Sequence, residues 1–189
     1  MKLKKYNILK KNKIFLKNYF LVPIRKCDIQ NIRKWRNDQI NILRQVVKLT
    51  ANDQLNYYDK YIKNSFYSKK PNMILFSFLL DDICIGYGGL VHINWKTKTA
   101  EVSFLNNTLR SKSKIVYQKD LSIFLKLLFT IAFDDLKLNK LVTETYDVRP
   151  WTIEILEKSG FKKEKILKNH VIVDDKLCDS ILHSKLINN

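Results

Sequence analysis

The middle of the chain alternates apolar and polar residues with the two-residue period of β-strands. Three such runs, Met73–Leu80, Ile83–Trp95 and Thr99–Leu105, are separated by the short polar connections 81–82 and 96–98. Short polar connections of this kind join strands that lie antiparallel to each other. The region therefore predicts two successive hairpins in one sheet.

Two stretches before these strands have apolar residues at helical spacing. The first begins after Asp28, which can cap it, and ends near Asn37. The second begins at Thr50, with Asp53 three residues later as in a capping box. The apolar positions are Ile29, Ile32 and Trp35 in the first helix and Leu55, Tyr58, Tyr61 and Ile62 in the second.

The remaining segments add strands and helices on both sides. Residues 118–136 are read as a buried helix because their polar side chains fall on one thin stripe. The helix that follows begins with proline and ends at Gly160, which suits a left-handed terminal residue. The predicted elements are a strand at Tyr19–Ile24, a helix at Gln118–Leu136, a strand at Lys140–Tyr146, a helix at Pro150–Lys158, and closing strands at Phe161–Leu167 and Cys178–Leu186.

The start of the chain has a different character. Residues 1–17 contain seven lysines and no acidic residue, and regular periodicity starts only at Tyr19. We interpret residues 1–17 as a basic extension and residues 18–189 as a single domain. Removal of residues 1–16 is therefore predicted to leave the fold intact.

The formal net charge of +17 points only weakly to a partner. Of the 35 basic residues six are arginines, whereas proteins that bind nucleic acids favour the bidentate guanidinium group. A codon bias toward AT-rich triplets explains much of the lysine excess. The sequence therefore does not favour a nucleic-acid partner.

Cysteine spacing and the lengths of apolar runs indicate the cellular compartment of the protein. The three cysteines are widely spaced without a Cys-x-x-Cys pair, so neither a disulfide framework nor a metal site is predicted. The longest apolar run, Leu121–Phe133, is interrupted by Lys126 and is shorter than a bilayer-spanning helix. These features predict a cytoplasmic protein without a membrane segment.

Three local patterns are similar, in this order, to one protein family. The first is Ile-Arg-Lys-Trp-Arg-Asn-Asp at 32–38, and the second joins Ile-Gly-Tyr-Gly-Gly-Leu at 85–90 to Ala-Glu-Val-Ser-Phe at 100–104. The third, Arg149–Phe161, ends in Leu-Glu-Lys-Ser-Gly-Phe. Together they resemble the GNAT superfamily of acyl-CoA-dependent N-acyltransferases, in particular its branch with ribosomal-protein alanine acetyltransferases and amino-sugar acetyltransferases. The resemblance implies an α/β (α+β) fold with a mixed, mostly antiparallel central sheet flanked by helices.

The resemblance also implies acetyl-CoA as the acyl donor, used as a cosubstrate without a metal. Family members splay two strands apart so that pantetheine adds to the sheet edge. Here these would be the strands Thr99–Leu105 and Lys140–Tyr146. The donor contacts implied by the resemblance are the backbone groups of Phe104, Leu105 and Asn106 and the side chains of Arg149 and Thr152 on the late helix.

One departure from the family concerns the pyrophosphate of the donor. Most members open the long helix with a glycine-rich turn whose backbone N–H groups bind phosphate. This connection contains no glycine, and alignment places Tyr117 and Lys119 where glycines are usual. Hydroxyl and ammonium groups could bind the phosphates instead; the other interpretation is an ordinary polar surface loop. The candidates are Ser111, Lys112, Ser113, Lys114 and Lys119.

The chemistry requires a base for the ammonium group and an acid for the thiolate. Glu101 is the candidate base, because its side chain points away from the aliphatic row of its strand; orienting the substrate or pairing with a lysine is its alternative role. A two-residue hairpin loop would place His92 opposite Glu101, whereas a one-residue slip would place Ile93 there. Tyr146 is the candidate acid, and aromatic packing is its alternative role.

The first two helices and their connection would line the acceptor pocket. Arginines there suit an anionic acceptor, so we predict acetyl transfer to a primary amine of a small amino-sugar or nucleotide-sugar metabolite. The alternatives are a protein N-terminus as acceptor, or a GNAT-like binding module that no longer uses acyl-CoA. The oligomeric state is left open, with a homodimer as one candidate. The candidate acceptor residues are Arg36, Asn37, Arg44, Gln45 and Tyr87.

Overall fold

The computed structural model describes residues 4–187, whose strands form one eight-stranded sheet. The strands are β1 (Ile14–Leu16), β2 (Tyr19–Pro23), β3 (Ile74–Leu80), β4 (Ile83–Asn94), β5 (Thr99–Asn106), β6 (Lys140–Tyr146), β7 (Lys162–Val173) and β8 (Lys176–Leu186). Their spatial order is β1-β2-β3-β4-β5-β6-β8-β7. All neighbours are antiparallel except β5 and β6, which are parallel.

Helices flank this sheet. The α-helices are α1 (Ile29–Asp38), α2 (Ala51–Tyr57), α3 (Lys63–Ser65), α4 (Thr108–Lys112), α5 (Lys114–Phe129) and α6 (Pro150–Lys158). Wider π-helical turns at Tyr58–Ile62 and Thr130–Asp135 follow α2 and α5. Within residues 4–187 no helix has the length and apolar character needed to cross a bilayer. The predicted fold class, a mixed and mostly antiparallel sheet flanked by helices, is confirmed.

Two terminal signals in the sequence act as predicted. The Thr50 hydroxyl accepts a hydrogen bond from the Asp53 N–H, and the Asp53 carboxylate accepts one from the Thr50 N–H. This reciprocal pair is a capping box and fixes the start of α2. Gly160 adopts a φ of 87° and ends α6 in the left-handed conformation.

Two other helix starts differ from prediction. The Asp28 carboxylate does not cap α1 but binds the Arg25 guanidinium at 2.6 Å. The long helix α5 begins at Lys114 rather than Gln118, because the Ser113 hydroxyl caps it through the Val116 N–H. The helix therefore starts one turn earlier than its apolar pattern indicates.

Aromatic side chains hold α5 against the sheet. The Phe124 ring lies 4.7 Å from Phe104 and 5.6 Å from Phe78, centroid to centroid. Gly88 permits this approach, since a Cβ there would lie 2.1 Å from the Ser103 carbonyl oxygen and 2.8 Å from the Phe124 ring. The packing fixes α5 over the middle of β4 and β5.

The parallel pair in the sheet is short. Residues 99–101 of β5 pair with residues 140–142 of β6, and the pairing stops there. Beyond Glu101 the strand β5 continues beside β4, while β6 continues beside β8. The two strands therefore diverge and leave an opening in the middle of the sheet.

The beginning of the chain differs from the sequence-based interpretation. Tyr6 and Leu9 are buried in the main core, and the Tyr6 hydroxyl donates to the Leu75 carbonyl at 2.8 Å and accepts from the Leu75 N–H at 2.9 Å. Residues 14–16 form β1 and pair with β2. Because lysines flank these core residues in the sequence, the pattern of apolar and polar positions does not mark them as buried. We therefore expect that removal of residues 1–16 destabilises the fold rather than leaving it intact.

Candidate active site

A cleft of about 340 Å³ opens where β5 and β6 diverge. Apolar side chains of α5 and α6 line one part of it: Leu121, Leu125 and Leu156. Charged and hydroxyl side chains from β5, β6 and the segment after α1 line another part: Arg44, Glu101, Ser103, Glu144 and Tyr146. An apolar pocket with a few convergent polar groups is typical of a small-molecule site.

One guanidinium group joins the two diverging strands. An Arg44 nitrogen lies 3.1 Å from a Glu101 carboxylate oxygen, and another lies 2.5 Å from a Glu144 oxygen. The alternation of strand side chains explains the meeting, because Glu101 is the last paired residue of β5 and Glu144 follows Val142 on the same face of β6. Glu101 thus lies in the cleft and pairs with an arginine rather than a lysine.

Glu144 is a site residue that sequence reasoning missed. Its carboxylate also accepts a hydrogen bond from Ser180 of β8 and lies 3.5 Å from a His170 ring nitrogen. Burial raises the pKa of Glu144, but the Ser180 hydrogen bond and the Arg44 charge outweigh burial and bring that pKa below its ordinary value. The available signal was its position two residues before Tyr146, which puts both side chains on one face of β6.

Tyr146 lies at the end of β6, as the sequence predicts, and it lines the cleft. Burial and the negative charge of Glu144 raise the pKa of its hydroxyl. The group is therefore protonated at neutral pH and has a proton to donate.

His92 does not pair with Glu101. The turn end of the hairpin has the predicted register, with Asn94 opposite Thr99, but one extra residue in β4 then shifts the pairing, so that Val91 lies opposite Glu101. His92 forms part of this bulge with a φ of 50° and is exposed. It still contributes to the cleft lining beside Val91.

The predicted acceptor residues form a network, of which only some members reach the cleft. The Arg36 guanidinium donates to the Tyr87 hydroxyl at 2.6 Å and to the Gln45 amide oxygen at 2.9 Å. Asn37 accepts from Gln45 at 3.0 Å and from the Leu49 N–H at 2.9 Å. Arg36 and Arg44 line the cleft, whereas the other three hold the segment after α1 in place.

Of the residues predicted to contact the acyl donor, some line the cleft and one does not. Phe104, Leu105, Arg149 and Thr152 line the cleft. Asn106 does not, because its carbonyl accepts from the Gln39 amide at 3.0 Å and its own amide donates to buried Asp120 at 3.3 Å. The side of Asn106 away from β4 is therefore covered by protein.

The five candidate phosphate ligands of the glycine-free connection are absent from the described cleft lining. The connection folds as α4 and the start of α5 rather than as an open loop. The Ser111 hydroxyl donates to the Thr108 carbonyl at 2.8 Å, and the Ser113 hydroxyl caps α5. Lys112 and Lys114 are exposed, and Lys119 lies over the Tyr19 ring.

Family membership follows from the sequence of the domain as a whole. The family model described as Acetyltransferase (GNAT) domain matches residues 21–182. The chain belongs to the GNAT acetyltransferase family. This GNAT domain is an acyl-CoA-dependent N-acetyltransferase, with acetyl-CoA as its cosubstrate.

Solved GNAT structures share the fold at low sequence identity. Spermidine N-acetyltransferase from Vibrio cholerae, in complex with CoA and spermine, has a TM-score of 0.77 and 16% identity, covering 92% of this chain and 98% of its own. A mutant of the same Vibrio cholerae enzyme has a TM-score of 0.73 and 19% identity, covering 92% and 96%. No curated protein sequence matches this chain.

The cleft fits the thioester arm of acetyl-CoA. It offers apolar side chains from two helices and a stretch of β5 beyond Glu101 that has no strand partner on the β6 side. An extended pantetheine can add to such an edge through main-chain hydrogen bonds. The part of the chain that the structure describes contains no group of three or more side chains suited to hold a metal ion.

Proposed function

We propose that this GNAT domain transfers an acetyl group from acetyl-CoA to the primary amine of a small amino sugar. The observation that supports the proposal is the meeting of Glu101 and Tyr146 in one cleft, at the point where β5 and β6 separate. A carboxylate for the ammonium proton and a protonated phenol for the thiolate are the two proton carriers that the reaction needs.

The proposed reaction has three steps: deprotonation of the amine, attack on the thioester and protonation of the thiolate. Glu101 accepts a proton from the ammonium group of the acceptor, directly or through water. The neutral amine attacks the thioester carbonyl, whose oxygen is polarised by a backbone N–H of β5. As the C–S bond breaks, the Tyr146 hydroxyl protonates the departing thiolate. The second proton lost by the attacking nitrogen returns to the Tyr146 phenolate directly or through water, which leaves the amide and free CoA.

The polar lining supports an acceptor with several hydroxyl groups. Ser103 and Thr145 line the cleft and carry hydroxyl groups, of which that of Thr145 also donates to the Ile181 carbonyl at 3.4 Å. A second groove of about 600 Å³ adjoins the cleft at Val91 and His92, which line both, and gives room for an acceptor larger than its reacting amine. Arg44 is engaged by two carboxylates, and Arg36 by the Tyr87 hydroxyl and the Gln45 amide oxygen, so an anionic, nucleotide-linked acceptor would have to replace one of these partners.

A polyamine is the second candidate acceptor. Two carboxylates, Glu101 and Glu144, line the cleft, and both attract cationic amines. The similar enzyme from Vibrio cholerae was solved with spermine. In this case a second ammonium group of the acceptor would replace Arg44 at Glu144.

An amine panel tests the proposal. CoA release from acetyl-CoA is measured with free and nucleotide-linked amino sugars, with spermidine and spermine, and with peptides that have a free N-terminus. We expect an amino sugar to give a kcat/KM at least tenfold above the other classes. A preference for a polyamine or for peptides would replace the proposed acceptor, and no CoA release with any amine would contradict acetyl transfer itself.

A further inference from the structure

Tyr117, in the first turn of α5, lines the cleft. GNAT enzymes usually have a glycine at this position, and here the position carries an aromatic ring. The Tyr117 ring is buried and packs edge-on against Phe104 at 6.0 Å between centroids. The Tyr117 hydroxyl accepts a hydrogen bond from the Thr152 hydroxyl of α6 at 3.2 Å. The side chain thus bridges the two helices between which a phosphate group would have to approach the backbone of α5.

Two backbone donors of this turn are already used within the protein. The Tyr117 N–H donates to the Ser113 carbonyl at 2.9 Å, and the Val116 N–H donates to the Ser113 hydroxyl at 3.4 Å. The Ser111 hydroxyl donates to the Thr108 carbonyl. Phosphate binding at a helix N-terminus requires such groups to be free and close to the ligand.

A buried ion pair holds the turn in this arrangement. Asp120 of α5 is fully buried and accepts from the Arg110 guanidinium at 2.7 and 2.8 Å and from the Asn106 amide at 3.3 Å. Opening the turn would separate Arg110 from Asp120 and leave a buried carboxylate without its cation. Loss of one partner from such a pair is strongly unfavourable, so we expect the turn to keep its shape.

One basic side chain remains at this end of the cleft. Arg149 lines the cleft, but it lies over the Tyr117 ring at 5.6 Å and donates to the Gln39 amide oxygen at 3.4 Å. The apolar part of the cleft and the unpaired stretch of β5 are unaffected by these contacts. The described residues therefore keep the binding groups for a pantetheine arm, whereas a buried tyrosine stands in the first turn of α5.

We infer that the enzyme recognises its donor through the acyl-pantetheine arm, and that the adenosine phosphate part of CoA contributes little. The inference rests on the proposed acetyl transfer and names its donor class as pantetheine thioesters in general. Tyr117 is the specificity-determining residue, because its ring occupies the space that a glycine would leave for the pyrophosphate.

Donor comparison is the direct test. With the best acceptor of the amine panel, kcat/KM is measured for acetyl-CoA and for acetyl-pantetheine. We expect the two values to lie within about tenfold, and adenosine 3′,5′-bisphosphate at millimolar concentration to leave the KM for acetyl-CoA unchanged. A loss of more than about a hundredfold with acetyl-pantetheine, or competition by the nucleotide, would overturn the inference.

Binding measurements keep the inference separate from the proposed acceptor. Calorimetry with CoA and with pantetheine requires no acceptor, and we expect Kd values within about tenfold of each other. CoA binding more than about a hundredfold tighter, or no binding of pantetheine, would overturn the inference even if transfer is active. If both ligands bind equally but no amine is acetylated, the inference stands and the proposed function fails.

A surface variant tests whether the phosphates of CoA bind instead to the exposed lysines near the start of α5. The double change Lys112→Ala and Lys114→Ala removes two exposed ammonium groups near the start of α5. We expect the KM for acetyl-CoA to stay within twofold, as for the matched surface change Lys158→Ala on α6. A rise in the KM for acetyl-CoA without a rise for acetyl-pantetheine would show that these lysines bind the phosphates and would contradict the inference.

Discussion

Tyr6 shows how a single side chain attaches the start of the chain to the core. Its hydroxyl satisfies both the N–H and the carbonyl of Leu75, and its ring packs 4.6 Å from Phe66 between centroids. We predict that Tyr6→Phe lowers the free energy of unfolding by about 1–3 kcal/mol, because two buried backbone groups lose their partner. Urea denaturation measures this, with exposed Tyr67→Phe as the control expected within about 0.5 kcal/mol. Equal stability of the two variants would contradict the role given to the hydroxyl.

His183 gives a second, pH-dependent prediction. Burial on β8 lowers the pKa of its ring, and the nearby charges are Glu157 at 3.9 Å, which raises the pKa, and Lys163, which lowers it. The unfolded chain therefore takes up a proton before the folded one as pH falls through about 6.5. The free energy of unfolding should fall more between pH 7.5 and 5.5 in the wild type than in His183→Gln. Parallel pH profiles would show that His183 titrates alike in both states.

The sequence-based interpretation and the structure differ most at β1 and the segment before it. Deletion of residues 1–16 removes β1 and the buried side chains of Tyr6 and Leu9. At about 1.5–3 kcal/mol for each buried side chain, we predict a loss of roughly 3–6 kcal/mol. That loss corresponds to a Tm lower by about 10 °C. Thermal unfolding checks it against a truncation of residues 1–4, and an unchanged Tm for the longer deletion would restore the interpretation as a basic extension.

Element boundaries could be predicted where one local signal decides them. The strand Lys140–Tyr146 and the helix Pro150–Lys158 have the predicted bounds, since alternation fixes the first and a proline and a glycine frame the second. The bulge at His92 could not be predicted, because one extra residue leaves an alternating pattern nearly unchanged and is set by packing across strands. Tyr6 and Leu9 were missed because their burial depends on contacts with distant residues.

The molecule as a whole explains which site residues the sequence could identify. Glu101 and Tyr146 could be named as candidates because each lies at a defined position on a strand, and the opening between β5 and β6 brings both to one cleft. Glu144 and its ion pair with Arg44 were missed, since they depend on the parallel register of two strands far apart in sequence. The sequence places Tyr117 where a glycine is usual, but only the folded chain shows its hydrogen bond with Thr152 of α6.

Glu101 is the residue that we propose takes the proton of the acceptor amine in this cleft. The measurement is the kcat of Glu101→Gln with the best acceptor, alongside its Kd for acetyl-CoA and its Tm, with Glu154→Gln on the surface of α6 as the matched control. We predict a kcat lower by roughly 10²-fold or more, as for lost general-base catalysis, with the Kd and Tm near those of the control. A kcat near that of the wild type with a stability lower by about 1–3 kcal/mol would instead make Glu101 a structural partner of Arg44 and contradict the account.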